Sequence, residues 1–154
     1  NRAAHIDKSG GHLNVVCTDL SLKCDMVLLA VGVKPNSEIA SAAGMTLSVE
    51  KSIAVDEMLR TSCRNIFAAG DCADAFHVVT GLRTWIPLAL RANRAGWAVG
   101  DNVCGKEAKL QGITGTAAFK VFDLEVARTG IAPDEAEVGG SYLSVGWCFG
   151  CGDR

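Results

Sequence analysis

The chain predicts an α/β fold, and three segments carry that prediction. Asp25 to Gly32 is a continuous apolar run of strand length, the pattern of a strand covered on both faces. Thr61 to Asp71 reads as a short buried strand: Ile66 and Phe67 form its body, its side chains shrink through Ala68, Ala69 and Gly70, and it stops at a carboxylate. Pro87 opens a helix on which Leu88, Ala92, Ala95, Val99 and Val103 recur at helical spacing and make one apolar stripe,.

The remaining elements follow from local pattern. His12 to Thr18 is strand-like, and the polar stretch Thr18 to Lys23 connects it to the apolar run. Gly32 and Lys34-Pro35-Asn36 break that run,. Ser37 can cap a short helix, Glu38 to Ala43, that Gly44 terminates,. Ile53 to Val55 reads as a brief edge-like strand, and Ala73 to Ile86 as irregular. In the long helix, Pro87 suits the first turn because its missing N–H costs nothing there. Gly96 and Gly100 leave room for a close neighbour, and Gly105 ends the helix.

Past Gly112 the pattern becomes alternating. Phe119 and Val121 flank Lys120; Phe122, Leu124 and Val126 flank Asp123 and Glu125. The register flips between Val121 and Phe122, which predicts a bulge or bend. Pro133-Asp134-Glu135 signals a helix start, and Tyr142 to Val145 another strand.

The bulk numbers narrow the partners. At 154 residues, 49% hydrophobic and 21% charged, the composition is globular,. A net charge of −2 without a basic run argues against a nucleic-acid partner,. The longest apolar run, Met26 to Val33, is far short of the ~20 residues of a membrane span. Seven scattered cysteines fit the reduced thiols of a cytoplasmic protein, acting mostly as small hydrophobes.

The most informative residue is Asp71. In open α/β sheets the carboxyl end of a strand is where ligands bind. A carboxylate there accepts hydrogen bonds from sugar-like hydroxyls, each worth about 1.5–3 kcal/mol. Ala68, Ala69 and Gly70 clear space for something bulky against the backbone.

The whole Thr61–Asp71 string resembles the second flavin-binding motif of the FAD-dependent pyridine nucleotide–disulfide oxidoreductases. Three other segments resemble the same family in its order. Ala30-Val31-Gly32-Val33-Lys34-Pro35-Asn36 is similar to the return from the nucleotide-binding domain. Ile86-Pro87-Leu88-Ala89 through Ala92-Asn93-Arg94-Ala95-Gly96 is similar to the helix that meets the flavin ring. Gly115 to Gly130 resembles the opening of the dimerisation domain, closest to the branch of CoA-disulfide reductases, NADH oxidases and persulfide reductases.

The resemblance implies an α/β fragment of a flavoprotein with two dinucleotide-binding domains. Residues 1–35 would end the NAD(P)H-binding domain, 36–111 would form the C-terminal part of the FAD-binding domain, and 112–154 would begin an incomplete α+β dimerisation domain. It implies FAD as cofactor, NAD(P)H as co-substrate and a homodimer. Gly70 and Asp71 would bind the ribitol chain. Pro87 would open the helix at the flavin ring, Leu88 and Ala89 would present its helix-terminal amides there, and Gly32 of the return segment would be a further cofactor-binding residue. Such a helix end carries about half a positive charge and so tunes a cofactor's electronics.

Departures from the family are equally informative. Neither Gly-x-Gly-x-x-Gly turn is present, and the region that carries the family's reactive cysteine is missing. The expectation is therefore a C-terminal piece of a longer reductase of disulfide, persulfide or dioxygen, inactive alone, with no catalytic nucleophile and no metal site. The alternatives are a flavin reductase serving a small redox protein and a non-catalytic assembly module. Cys148-Phe149-Gly150-Cys151 is a C-x-x-C that could be a redox pair or half a zinc site, but no second C-x-x-C exists and the only histidines are His5, His12 and His77. Cys72 reads as packing, and His77 and Lys34 as polar surface.

Overall fold

A computed structural model of the chain describes residues 2–131. The helix start at Pro133, the strand at Tyr142–Val145 and the Cys148/Cys151 pair lie outside the described residues. The chain divides into two compact units, Asn1–Val33 and Lys34–Arg154. No described helix is long and apolar enough to cross a membrane.

The first unit is a three-stranded antiparallel sheet, β1 (Ala3–Ser9), β2 (His12–Cys17) and β3 (Ser21–Cys24), with β2 in the centre. Gly10 and Gly11 join β1 to β2 with φ of 58° and 84°. Positive φ at both central residues matches the twist of the flanking strands in a two-residue hairpin turn. The stretch expected to be a plain connection, Thr18 to Lys23, contains most of β3. Alternation was too short there, over Ser21-Leu22-Lys23, to stand out from a polar loop.

The apolar run after β3 is a correction. Residues 26–33 form no strand, and Met26, Leu28, Leu29, Val31 and Val33 are 72–91% exposed. A run of this kind is strand only when neighbours pair its backbone and cover both faces. Among the described residues none pairs with it.

The second unit opens with α1 (Glu38–Ala42), as expected, and Gly44 at φ 76° closes it. Ser37 occupies the cap position but makes no capping hydrogen bond; its Oγ donates instead to the carbonyl of Lys51 at 2.6 Å. A single 3-10 turn, Val49–Lys51, follows. The Ile53–Val55 segment is held by lone bridges rather than a ladder: Ile53 pairs with Leu47 on one side and with Ala73 on the other. The Ile66–Phe67 strand is likewise reduced to one bridge, Arg60 to Phe67, and Ile66 is 41% exposed.

Side-chain clamps replace sheet hydrogen bonds here. The Asp56 carboxylate accepts from the amides of Met58 and Arg60, both at 2.9 Å. That turn drives Leu59 into the core at 1% exposure with φ 64°. Asn102 donates to the carbonyls of Met58 and Ala108 and accepts from the Ala108 amide. Buried Ala40, Ile53, Val55, Leu59, Ala68, Ala73, Ala95 and Ala98 form one cluster. Five of the eight are alanine, so backbones approach closely and little apolar volume is enclosed.

The irregular stretch contains a minimal hairpin, β4 (Ala75–Phe76) and β5 (Arg83–Thr84). Helix α2 spans Ala89–Val103, with Leu88 as its cap residue and Gly105 at φ 84° beyond its end. Pro87 therefore precedes the cap instead of opening the helix. Leu88 is extended (φ −137°, ψ 128°), and the first helical bond runs from the Ala92 amide to the Leu88 carbonyl. The buried face of α2 is Ala95 and Ala98, while Val103 is 66% exposed. Gly96 and Gly100 are exposed, and a Cβ at either would meet nothing within 4 Å. The expected close neighbour is thus not among the described residues.

The last described elements are β6 (Ala117–Val121) and β7 (Leu124–Arg128), an antiparallel hairpin. The expected bend at Val121/Phe122 is its two-residue turn, with Phe122 at φ 51° and 92% exposed.

Candidate functional site

Gly70 and Asp71 sit on a turn where the Ala68–Ala69 segment leaves the core. Gly70 takes φ 92°, a left-handed conformation open to glycine at no steric cost,. A Cβ there would meet nothing within 4 Å, so the conformation and not crowding calls for glycine. Asp71 is exposed, and its carboxylate accepts no hydrogen bond among the described residues. Its main-chain carbonyl is held by the Trp85 indole N–H at 2.7 Å. The carboxylate is thus a free acceptor on a fixed backbone.

That Trp85 contact brings two predicted sets together. Trp85 lies two residues before Pro87, so the Gly70–Asp71 turn and the start of α2 are adjoining. Leu88 is the cap residue and Ala89 the first helical residue, which moves the expected helix-terminal amides to Leu88 through Arg91,. Gly32, at φ 91° and exposed, lies in the other unit.

A buried charge cluster lies behind the turn. Asp74 is fully buried: one carboxylate oxygen accepts from the Val55 amide at 2.9 Å, and the other pairs with Arg83. Burying a carboxylate is tolerable only with such partners. Arg83 also donates to the Val55 carbonyl at 3.4 Å and stacks over the Phe76 ring at 4.8 Å. From α2, Arg91 donates to the Asp74 carbonyl at 2.6 Å. Burial pushes the Arg91 pKa down from its ordinary value, opposed by the charges of Asp74 and Asp71.

Sequence reasoning missed Asp74, Arg83, Trp85 and Arg91. Two signals were available. An indole that leaves water needs an acceptor, and Arg91 is a cation in the first turn of a helix, where the dipole favours acids. His77 corrects a second reading: it is 4% exposed, not polar surface, and its Nδ1 accepts from the Val79 amide at 3.2 Å. Lys34 is an exposed loop lysine as expected, paired with Glu38 at 2.9 Å. Cys72 packs against the core cluster with its Sγ 3.4 Å from the Ala69 carbonyl. The five described cysteines, Cys17, Cys24, Cys63, Cys72 and Cys104, are free thiols.

Comparison with known proteins identifies the family. Residues 2–96 match the family model for pyridine nucleotide-disulphide oxidoreductases. A CoA-dependent NAD(P)H sulfur oxidoreductase of Pyrococcus furiosus is 43% identical over 114 residues, 74% of this chain and 26% of that protein. A NAD-dependent persulfide reductase from A. fulgidus superposes with a TM-score of 0.79 at 36% identity, covering 88% of this chain and 26% of the other. An FAD-dependent pyridine nucleotide-disulphide oxidoreductase from Desulfovibrio vulgaris gives a TM-score of 0.81 at 34% identity, over 90% of this chain and 35% of the other. The chain spans about a quarter of the length of the curated relatives it matches. It belongs to the pyridine nucleotide-disulphide oxidoreductase family, and the relatives it resembles are sulfur and persulfide reductases, CoA disulfide reductases and NADH oxidases.

Proposed function

We propose that the chain supplies part of the flavin site of an FAD-dependent oxidoreductase that oxidises NAD(P)H and reduces a disulfide, a persulfide or dioxygen. One observation carries the reading: an exposed carboxylate without a hydrogen-bond partner among the described residues, Asp71, on a backbone fixed by Trp85 beside the start of α2. The donor set fits the cofactor. A polyol chain needs an anionic acceptor that nothing else occupies, and a ring that gains negative charge needs amide donors.

Asp71 would accept hydrogen bonds from the ribitol hydroxyls, and the open space beside Gly70 would let the ligand approach the backbone. Pro87 contributes no donor, so the amides of Leu88 and Ala89 would face the ring and lend it positive potential. When bound, FAD would supply the redox centre between NAD(P)H and the acceptor. In this reading residues 1–35 end the NAD(P)H-binding domain, with Gly32 in its return segment. Residues 36–111 are the flavin-domain part, and 112–154 begin a dimerisation domain through which two copies pair. The exposed apolar side chains of the β6–β7 hairpin, Phe119, Phe122 and Leu124, support that last assignment. A cytoplasmic role in redox homeostasis follows from the same reading.

The test is a fluorescence titration of FAD with the chain, followed by desalting and a visible spectrum. The expected result is bound flavin, with affinity lost in Asp71→Ala while far-UV circular dichroism stays unchanged. A folded chain that leaves FAD fluorescence unchanged at every accessible concentration overturns the proposal.

A further inference from the structure

We propose that Arg91 is a positioning residue of this site, tying the first turn of α2 to the main-chain carbonyl of Asp74 so that Asp71 and the helix-terminal amides keep one register. The inference rests on the flavin reading of Asp71, Leu88 and Ala89, and it adds a residue which that reading does not use.

Arg91 is out of place by local rules. Leu88 caps α2, so Arg91 is its third helical residue, and no acid occupies that first turn. A cation there opposes the helix dipole. Its Nε is also buried without a hydrogen-bond partner among the described residues. A sequence selected only for helix stability would carry Asp or Glu at this position. Both local penalties persist, so something outside the helix holds the guanidinium.

The surroundings supply that hold. One terminal nitrogen donates to the Asp74 carbonyl at 2.6 Å, and the charges facing the guanidinium are Asp74 and then Asp71. The Asp74 carboxylate is itself committed to the Val55 amide and to Arg83, so its carbonyl is a fixed point. Three residues earlier, the Asp71 carbonyl is fixed by Trp85. The turn from Asp71 to Asp74 is therefore gripped at both ends, by Trp85 from just before α2 and by Arg91 from within it. Arginine suits this task because its planar fork holds an orientation that the flexible ammonium of lysine does not.

Two measurements test the clamp. The first needs no flavin: the indole N–H resonance of Trp85, identified by its loss in Trp85→Phe, is followed by nitrogen-15 NMR. In Arg91→Met the resonance is expected to shift and its solvent exchange to quicken about tenfold, because the Asp71 turn is released at its other end. An unmoved Trp85 resonance in folded Arg91→Met overturns the clamp. Where Arg91→Met fails to fold, Arg91→Lys is read instead, with a smaller displacement of the same resonance expected and none overturning it.

The second measurement is a double-mutant cycle on FAD affinity with Asp71→Asn and Arg91→Met. A residue acting through Asp71 gives non-additive losses, about fivefold or more away from the product of the single effects. Multiplying effects mean that Arg91 serves the fold alone, which overturns the inference and leaves the flavin reading standing. A folded wild-type chain with no FAD binding overturns the flavin reading, and with it Arg91's place in a flavin site. The Trp85 measurement then still decides whether the clamp exists.

Discussion

The two units treat apolar sequence in opposite ways. In the first, the most hydrophobic stretch of the chain, residues 26–33, is exposed, with Val31 at 91%. In the second, shorter and weaker apolar segments supply Ile53, Val55, Leu59 and Ala68, all at 8% exposure or less. The buried residues are fixed by long-range partners: Ile53 bridges to Leu47 and Ala73, and the Leu59 carbonyl accepts from the Ala68 amide. Hydrophobicity states what a segment would bury; only paired backbone and a covering layer decide whether it does.

The sharpest way to break this comparison is the same substitution in both units. Ile53→Asp places an unpaired charge in the core and is expected to cost about 4 kcal/mol or more, whereas Leu29→Asp stays within about 0.5 kcal/mol. Urea unfolding of both variants measures this, and equal losses would mean that residues 26–33 are buried in solution.

Asp74→Ala comes next, at about 3 kcal/mol, because it strands Arg83 and leaves the Val55 amide unpaired. Chemical denaturation of the variant checks the value; a loss below about 1 kcal/mol would make the buried pair a bystander, at the level of an exposed ion pair.

Leu59→Ala follows, at about 2–3 kcal/mol in the same assay. The loss is pure packing, since alanine gains nothing at φ 64°. A larger loss in Leu59→Gly than in Leu59→Ala would show that the left-handed backbone carries little strain.

The smallest effect belongs to the exposed pair of Lys34 and Glu38. Lys34 holds Glu38 below its usual 4.5, first by hydrogen bond, so the folded form binds fewer protons than the unfolded,. The contribution is fully present above that value and is lost as pH falls through the lower folded one. Melting temperature from pH 7 downward should fall slightly more for wild type than for Glu38→Gln, and salt should erase the difference.

How much was legible in the sequence differs between these regions for the same reason. The break at Gly70–Asp71, α1, α2 and the bend before Phe122 were readable, because glycine freedom, helical spacing and a register flip are local. The strands expected at residues 25–32 and 61–71 were not realised as ladders, because a strand is completed by its neighbours and no local signal names them. Arg91 and Asp74 escaped notice for a related reason: their partners lie 17 and 9 residues away in sequence.

The sequence by itself determined the family, the Gly70–Asp71 end of the Thr61–Asp71 segment and the helix that follows Pro87, since motif residues and short-range periodicity survive in any piece of chain. The tertiary structure alone decided which apolar segments are core, that α2 begins at Ala89 and not Pro87, and that Asp71 stands free while Asp74 is sealed. Those outcomes depend on the free energy of bringing distant groups together, where desolvating a charge is repaid only when the partner arrives.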